Sequence, residues 1–578
     1  MLRFLLLLLL NVAMTVFAQT EEVRLKILCT SDVHGNYFPR DFLTGGEGQG
    51  SLSRLATYVR GLRDEMEENH VILLDNGDIL QGQPSAYYYN FIDTASTHVC
   101  ADVLNHLKYD AATIGNHDIE TGHPVYDRWT RQCHFPILCA NAVKVTDGQP
   151  YWKPYVVLER AGIRVAVLGL TTPAVPQWLP ENLWSGIRFE DMVATARRWM
   201  PVLQQQERAD VVIGLLHSGA GAENAQGTMN EHAALQVAQS VPGFDIILCG
   251  HDHRPLCRMV KSKDEKLVAI LNPGANAMSV AEADVRLRLK QGKTQNVDVL
   301  ARIVNLNDFV PDSTYMSCFA AESEAISHFT EEVIGQCERT MGIREAFFGP
   351  SAFVDFIHTL QLKISGADVS LAAPLSMDAI IRKGPIRMAD MFTLYKYENM
   401  LYVMRLTGRE LKNYLEESYD GWIRTMRSEE DTLLNFRPHP ERYGASWERL
   451  RNPGYNFDSA AGILYTVDVR RPKGQRIIIT GMADGRPFHP DAVYRVAVNS
   501  YRGNGGGDLL TRGAGILHEE LKDRIEWSTD KDLRYYLMQE IRKLGVLRPQ
   551  PLNHWRFVPE TWVEKAKKRD EMVLFGAE

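Results

Sequence analysis

The sequence predicts an α/β protein of at least two domains, and three observations carry that reading. The chain has 578 residues, more than a single hydrophobic core usually organises. From Arg24 to about Leu306 short apolar runs alternate with segments of helical periodicity, the pattern of sheets covered by helices. A polar stretch from about Asn307 through Glu332, a partly helical linker, then separates this half from a second α/β series. These breaks place a first domain over 23–306, a linker over 307–345, a second domain over 346–548 and a tail over 549–578.

In the first half, Arg24 to Thr30, Val71 to Asn76, Ala112 to Ile114, Arg164 to Leu170, Val211 to Leu216 and Ile246 to Cys249 predict core strands. Between them, Leu52 to Met66 puts Leu52, Leu55, Val59, Leu62 and Met66 on one helical face. His98 to Leu107 and Met192 to Gln206 follow the same pattern. In the second half, Ser351 to Lys363 predicts a helix. Asp368 to Ala372, Leu401 to Leu406, Gly462 to Val469 and Tyr494 to Val498 predict strands. Thr407 with Glu410 three residues on forms a capping box, so a helix starts there. Arg424 to Trp447 is charged and irregular and predicts a long loop. The basic stretch after Pro549 predicts a peripheral tail.

Composition limits the function. Hydrophobic residues make up 45% and charged residues 24%, an ordinary soluble balance. A formal charge of −8 argues against a nucleic-acid binder, which needs a basic face. It does not argue against a small phosphate ester, because metal ions can supply positive charge locally. The N-terminus predicts a secretory signal over 1–18: Arg3 supplies a positive charge, Phe4 to Phe17 is largely apolar, and Val16-Phe17-Ala18 offers a cleavage site. An exported, periplasmic or extracellular protein follows, with no stable membrane span once the signal is removed. The eight cysteines fit no thiolate zinc spacing. Export permits disulfides, with Cys133 and Cys139 the first pair to consider.

Five segments share one design, in which an apolar strand ends and metal-capable side chains follow at once. Asp32-Val33-His34 follows the first strand, Asn76-Gly77-Asp78 the second and Gly115-Asn116-His117-Asp118 the third. His217 ends Val211 to Leu216, and Gly250-His251-Asp252-His253 follows Ile246 to Cys249. Loops at strand ends of helix-covered sheets converge on one crevice. Imidazoles, carboxylates and a carboxamide suit borderline divalent ions such as Zn, Mn, Fe or Co. With Asp78 as a shared bridge, Asp32, His34, Asp78 and His253 make one group. Asp78, Asn116, His217 and His251 make the other.

In order, D-x-H, GD, GNHD, H and GH-x-H, these residues resemble the calcineurin-like metallophosphoesterases. Further motifs narrow the resemblance to the 5′-nucleotidase and 2′,3′-cyclic-nucleotide 2′-phosphodiesterase family: Gly77-Asp78-Ile79-Leu80-Gln81-Gly82 and Asn499-Ser500-Tyr501-Arg502-Gly503-Asn504-Gly505-Gly506-Gly507-Asp508. It implies a helix-flanked β-sandwich, a C-terminal α/β nucleoside-binding domain, two divalent cations that acidify a water, and a nucleotide substrate. It also implies that His117 protonates the leaving group and that Glu120, three positions on, orients it. Asp118 is the rival orienter, or a support for ligand positioning.

For the substrate, the resemblance implies Tyr501 as a stacking aromatic and Asn499 as a polar contact beside the base. The second aromatic is Tyr455, favoured over Phe457, and Asp508 reaches towards a ribose hydroxyl. Two departures from the 5′-nucleotidase pattern stand out. Ala372-Ala373-Pro374-Leu375 lacks the family's G-G-x-R arginine, with Arg382 and Arg387 nearby, and Gly507 occupies the position of the family's Asp. The bifunctional branch, cyclic phosphodiesterase with 3′-nucleotidase activity, is therefore favoured. Alternatives are a related hydrolase of a non-nucleotide phosphate or sulfur ester, or an exported binding protein on a dead enzyme fold.

Overall fold

The computed structural model describes residues 20–576, so the expected signal segment lies outside the described residues. The chain divides into two compact units. The first holds most of the chain up to Ala325. The second runs from Ile326 and also takes Phe42–Thr44 and Pro176–Glu181.

The first unit contains two six-stranded sheets. In one, the Thr20–Thr30 strand pairs in parallel with Val71–Asp75, which pairs in parallel with Ala111–Thr113. In the other, Ile163–Thr171, Val211–His217 and Ile246–Cys249 are parallel neighbours. Alternation along each strand sorts the side chains. Leu25, Ile27 and Cys29 of one sheet share an apolar core with Val211, Ile213 and Leu215 of the other. Val212 and Leu216 turn to the opposite face, where Met192, Ala196, Val237 and Ala238 of two helices cover them. This is the β-sandwich flanked by helices. All chemistry-bearing segments of the first half leave the same ends of these parallel strands.

The second unit is built on a five-stranded sheet whose centre is Val493–Asn499, flanked by Val369–Ala372 and Leu401–Thr407. The Gly408–Trp422 helix starts as expected, with Thr407 and Glu410 capping each other's backbone amides. One expectation is corrected here. The stretch after Pro549 is not peripheral. Trp555–Val558 pairs in parallel with Ile463–Asp468, and Trp555, Phe557, Val563, Ala566 and Leu574 enter the main core. The 307–345 stretch contains the helical structure expected of its polar part, and a strand besides. Ser313–Cys318 and Ala320–Glu331 are helices, and Val333–Cys337 is a strand paired with Gly384–Arg387 and Val546–Leu547. The eight cysteines are all free thiols, Cys133 and Cys139 included. No described helix is long and apolar enough to cross a membrane.

Candidate active site

The strand ends of the first unit bring the expected ligand residues into two groups. Asp32, His34 and His253 offer ligand atoms within 4.8 Å of one another, and so do Asp78, His217 and His251. Asn116 joins the second group, its Oδ1 3.2 Å from Nε2 of His217. Backbone ties lock the loops together: Asp32 N–H donates to Gly77 O (2.9 Å) and His34 N–H to Asp78 O (3.0 Å). Asp32, His34, Asp78, His251 and His253 all sit at positive φ, between 51° and 68°. Non-glycine residues adopt that region at a cost, and such strain gathers where function needs an exact direction. Gly115 serves the same end, because a Cβ there would collide with Asp78 Oδ1.

The electrostatics draw positive charge. Asp32 and Asp78 are buried. Burial alone would lift their pKa values, but the surrounding histidines more than offset it and hold both low, Asp78 well below the usual range. Burial favours a neutral His217 ring, yet Asp78 and Asp32 raise its pKa to about 9. Burial wins at His34, lowered to about 4. Asp78 Oδ2 lies 3.1 Å from Nε2 of His217 but accepts no well-aligned hydrogen bond although it is buried. Nδ1 of His34 faces Gln81 O (3.1 Å) and Nδ1 of His217 faces Asn76 O (2.7 Å). The carbonyls suit ring protons on Nδ1, which makes Nε2 the atom that each ring would offer to a cation. Such a donor set fits divalent cations, for which ring protons compete.

His117 stands beside this cluster. Its ring centroid is 5.4 Å from that of His34, its amide donates to Asp78 Oδ1 (2.7 Å), and Nδ1 meets Glu120 Oε2 at 2.5 Å. Asp118 does not orient this ring. Its two oxygens accept the amides of Asp78, Ile79, Leu80 and Gly115, and so shape the loop that carries Asp78.

In the second unit, the rings of Tyr455 and Tyr501 lie 6.4 Å apart and meet edge to face at 84°. Tyr455 is 41% exposed, whereas Phe457 is fully buried. Phe457 stacks on Trp422 in the core, so it is not a substrate contact; the tight Gly454–Asn456 turn separates it from Tyr455. Asn499 caps the short Ser500–Gly503 helix through the Arg502 amide, and Asp508 is exposed, 3.5 Å from Arg512. Arg382 and Arg387 are exposed as well. The residue that sequence reasoning missed is Arg502. Its buried guanidinium grips both oxygens of Asp458 and also donates to the carbonyls of Tyr455 and Gly506, tying the two aromatic loops together. Gly506 is needed because a Cβ there would run into the Tyr501 ring.

The calcineurin-like phosphoesterase family model matches residues 25–255, the stretch holding every ligand candidate. These residues form a calcineurin-like metallophosphoesterase domain. The 5′-nucleotidase C-terminal domain matches residues 327–512 of the same metallophosphoesterase. A Yersinia enterocolitica 2′,3′-cyclic-nucleotide 2′-phosphodiesterase/3′-nucleotidase is 26% identical, over 93% of this chain and 89% of its own. A Bacillus subtilis trifunctional nucleotide phosphoesterase is also 26% identical over 93% of this chain, which spans 39% of that protein's length. In fold, the metallophosphoesterase is similar to the crystal structure of a candidate 5′-nucleotidase from Staphylococcus aureus in complex with alpha-ketoglutarate. The TM-score is 0.75 at 22% identity, over 93% of this chain and 100% of that one. The protein is a metal-dependent phosphoric ester hydrolase.

Proposed function

We propose that this metallophosphoesterase is exported, holds two divalent cations and hydrolyses nucleotides: 2′,3′-cyclic nucleotides and 3′- or 5′-nucleoside monophosphates. The observation that carries the reading is the pair of ligand groups in the first unit, adjacent to a histidine whose Nδ1 is held by Glu120. Asp32, His34, Asp78 and His253 would hold one cation, and Asp78, Asn116, His217 and His251 the other. When bound, the cations supply positive charge for the phosphoryl oxygens and acidify the attacking water.

The chain's own residues do the rest. Glu120 takes the Nδ1 proton of His117 into its hydrogen bond, so His117 offers its other ring proton to the leaving oxygen as the P–O bond breaks. Asp118 holds the Asp78 loop in register through four amides. In the second unit, Tyr501 and Tyr455 would stack on the base, with Asn499 beside them and Asp508 at the ribose. In the structure the two rings are perpendicular, so one turns for a base to lie between them. The nucleotidase and phosphodiesterase names of the relatives support this substrate class.

The experiment is a comparison of kcat/KM for AMP, 3′-AMP, 2′,3′-cyclic AMP and a non-nucleotide phosphate, with and without chelator. The proposal expects chelator-sensitive turnover that favours the nucleotides. A flat profile across all four would remove the base-stacking pocket, and a strong preference for the non-nucleotide ester would favour the alternative hydrolase.

A further inference from the structure

Glu231 is an acidic residue at the cluster that the ligand groups leave unused. Its Oε1 lies 3.0 Å from Nε2 of His251, and the two side chains are 42% and 10% exposed. The backbone that carries Glu231 is itself anchored to the site. Ser218, directly after His217, donates its hydroxyl to the Glu231 carbonyl (2.7 Å) and accepts the Ala233 amide (2.9 Å). The loop bearing Glu231 is thereby tied to the strand end that places His217. No regular spacing links Glu231 to any other motif, so nothing in the sequence pattern singles it out.

Two uses of this carboxylate are chemically possible. Glu231, His232 and His251 offer ligand atoms within 4.8 Å of one another, which could describe a further cation. The geometry speaks against it. His232 and Glu231 are both 42% exposed, and their contact is long at 3.6 Å. His251 already serves the group of Asp78 and His217, and giving both ring nitrogens to cations would strip both ring protons. The other use is simpler. An ionised carboxylate only accepts, so Glu231 keeps the ring proton on Nε2 and leaves the lone pair on Nδ1.

We infer that Glu231 is a positioning residue for His251: it fixes that ring's tautomer and orientation and thereby sets the affinity of the cation held with Asp78 and His217. The inference rests on the dinuclear reading proposed above. Carboxylate partners of ligating histidines commonly contribute about 10–100-fold in metal affinity.

The test measures bound ions per chain, the affinity of each ion by chelator competition, and the visible spectrum of the Co2+-loaded protein. Wild type is expected to bind two ions. E231A should weaken one of them by about 10–100-fold, leave the other in place and shift the Co2+ spectrum. E231Q, whose amide oxygen still accepts the ring proton, should restore most of that affinity, and H232A should change neither ion. E231M, which keeps the side-chain volume, repeats the measurement should E231A fail to fold. Equal affinity for both ions in wild type, E231A and E231M would overturn the inference while leaving the dinuclear reading intact. A third ion in wild type that H232A removes would overturn it in favour of the extra site. Failure of wild type to bind any divalent ion would instead remove the dinuclear reading on which the inference stands.

Discussion

The proton delivery proposed for His117 has the most direct consequences at the scale of single residues. Burial lowers its ring pKa, but the Asp78 and Glu120 carboxylates outweigh burial and hold it at about 10. Bound cations would offset the share due to Asp78 and leave Glu120 as the main support. A raised pKa keeps the ring protonated through neutral pH, so the acid form is lost only as pH climbs through that value. H117N should lower kcat by about 10²–10⁴-fold with bound metal unchanged; equal loss of metal and rate would count against the role. E120Q should move the alkaline limb of the pH–rate profile to lower pH, because removing a negative neighbour lowers the ring pKa. Tyr501 makes a separate prediction. Base stacking is worth about 1–3 kcal/mol, so Y501A should raise KM for nucleotides and leave a non-nucleotide phosphate nearly unaffected. A uniform change across both substrates would place Tyr501 in the fold alone. At this scale the metal-capable residues were legible because each directly follows an apolar strand. Tyr455 was favoured over Phe457 by resemblance alone, since the packing on Trp422 that buries Phe457 leaves no mark in the sequence.

Among the elements, the loops of the second unit depend on one buried ion pair. Arg502 and Asp458 are 2% and 5% exposed, and Tyr414 also donates to Asp458. R502A would leave Asp458 charged in the core without its cationic partner, a change that costs about 3–5 kcal/mol. Urea denaturation of the full chain reads that loss in the second unit's transition; an unchanged midpoint would contradict it. The C-terminal helix Glu560–Phe575 offers a pH test. Asp570 Oδ2 accepts the amides of Leu433 and Leu434 (2.8 and 2.7 Å), and burial raises its pKa to about 7. A carboxyl raised in the folded state stabilises at low pH, and that contribution is lost as pH rises from about 4 towards 7. The denaturation midpoint of D570N should therefore fall less between pH 5 and pH 8 than that of wild type, and an equal fall would show that Asp570 carries no linkage. Parallel strands and the Thr407 capping box were legible from apolar runs and capping chemistry. The 549–578 segment was not, because its short strand and helix earn their place only by pairing with Ile463–Asp468 and filling an aromatic core.

For the molecule as a whole, sequence order and spatial arrangement answer different questions. Candidate ligand residues spread from Asp32 to His253 gather because parallel strands of two packed sheets end together, and alternating apolar runs already imply such sheets. Partners that work by contact alone, such as Glu231 on His251 or Arg502 on Asp458, leave no spacing to read. The central claim is that catalysis depends on two cations held by this chain. The most direct test is to strip the protein with chelator, return one kind of divalent ion stepwise, and follow ions bound per chain and turnover of 2′,3′-cyclic AMP together. The account predicts no turnover in the stripped protein and a rise that reaches its plateau at two bound ions per chain. Turnover that survives complete metal removal, or a plateau at a single bound ion, would contradict it.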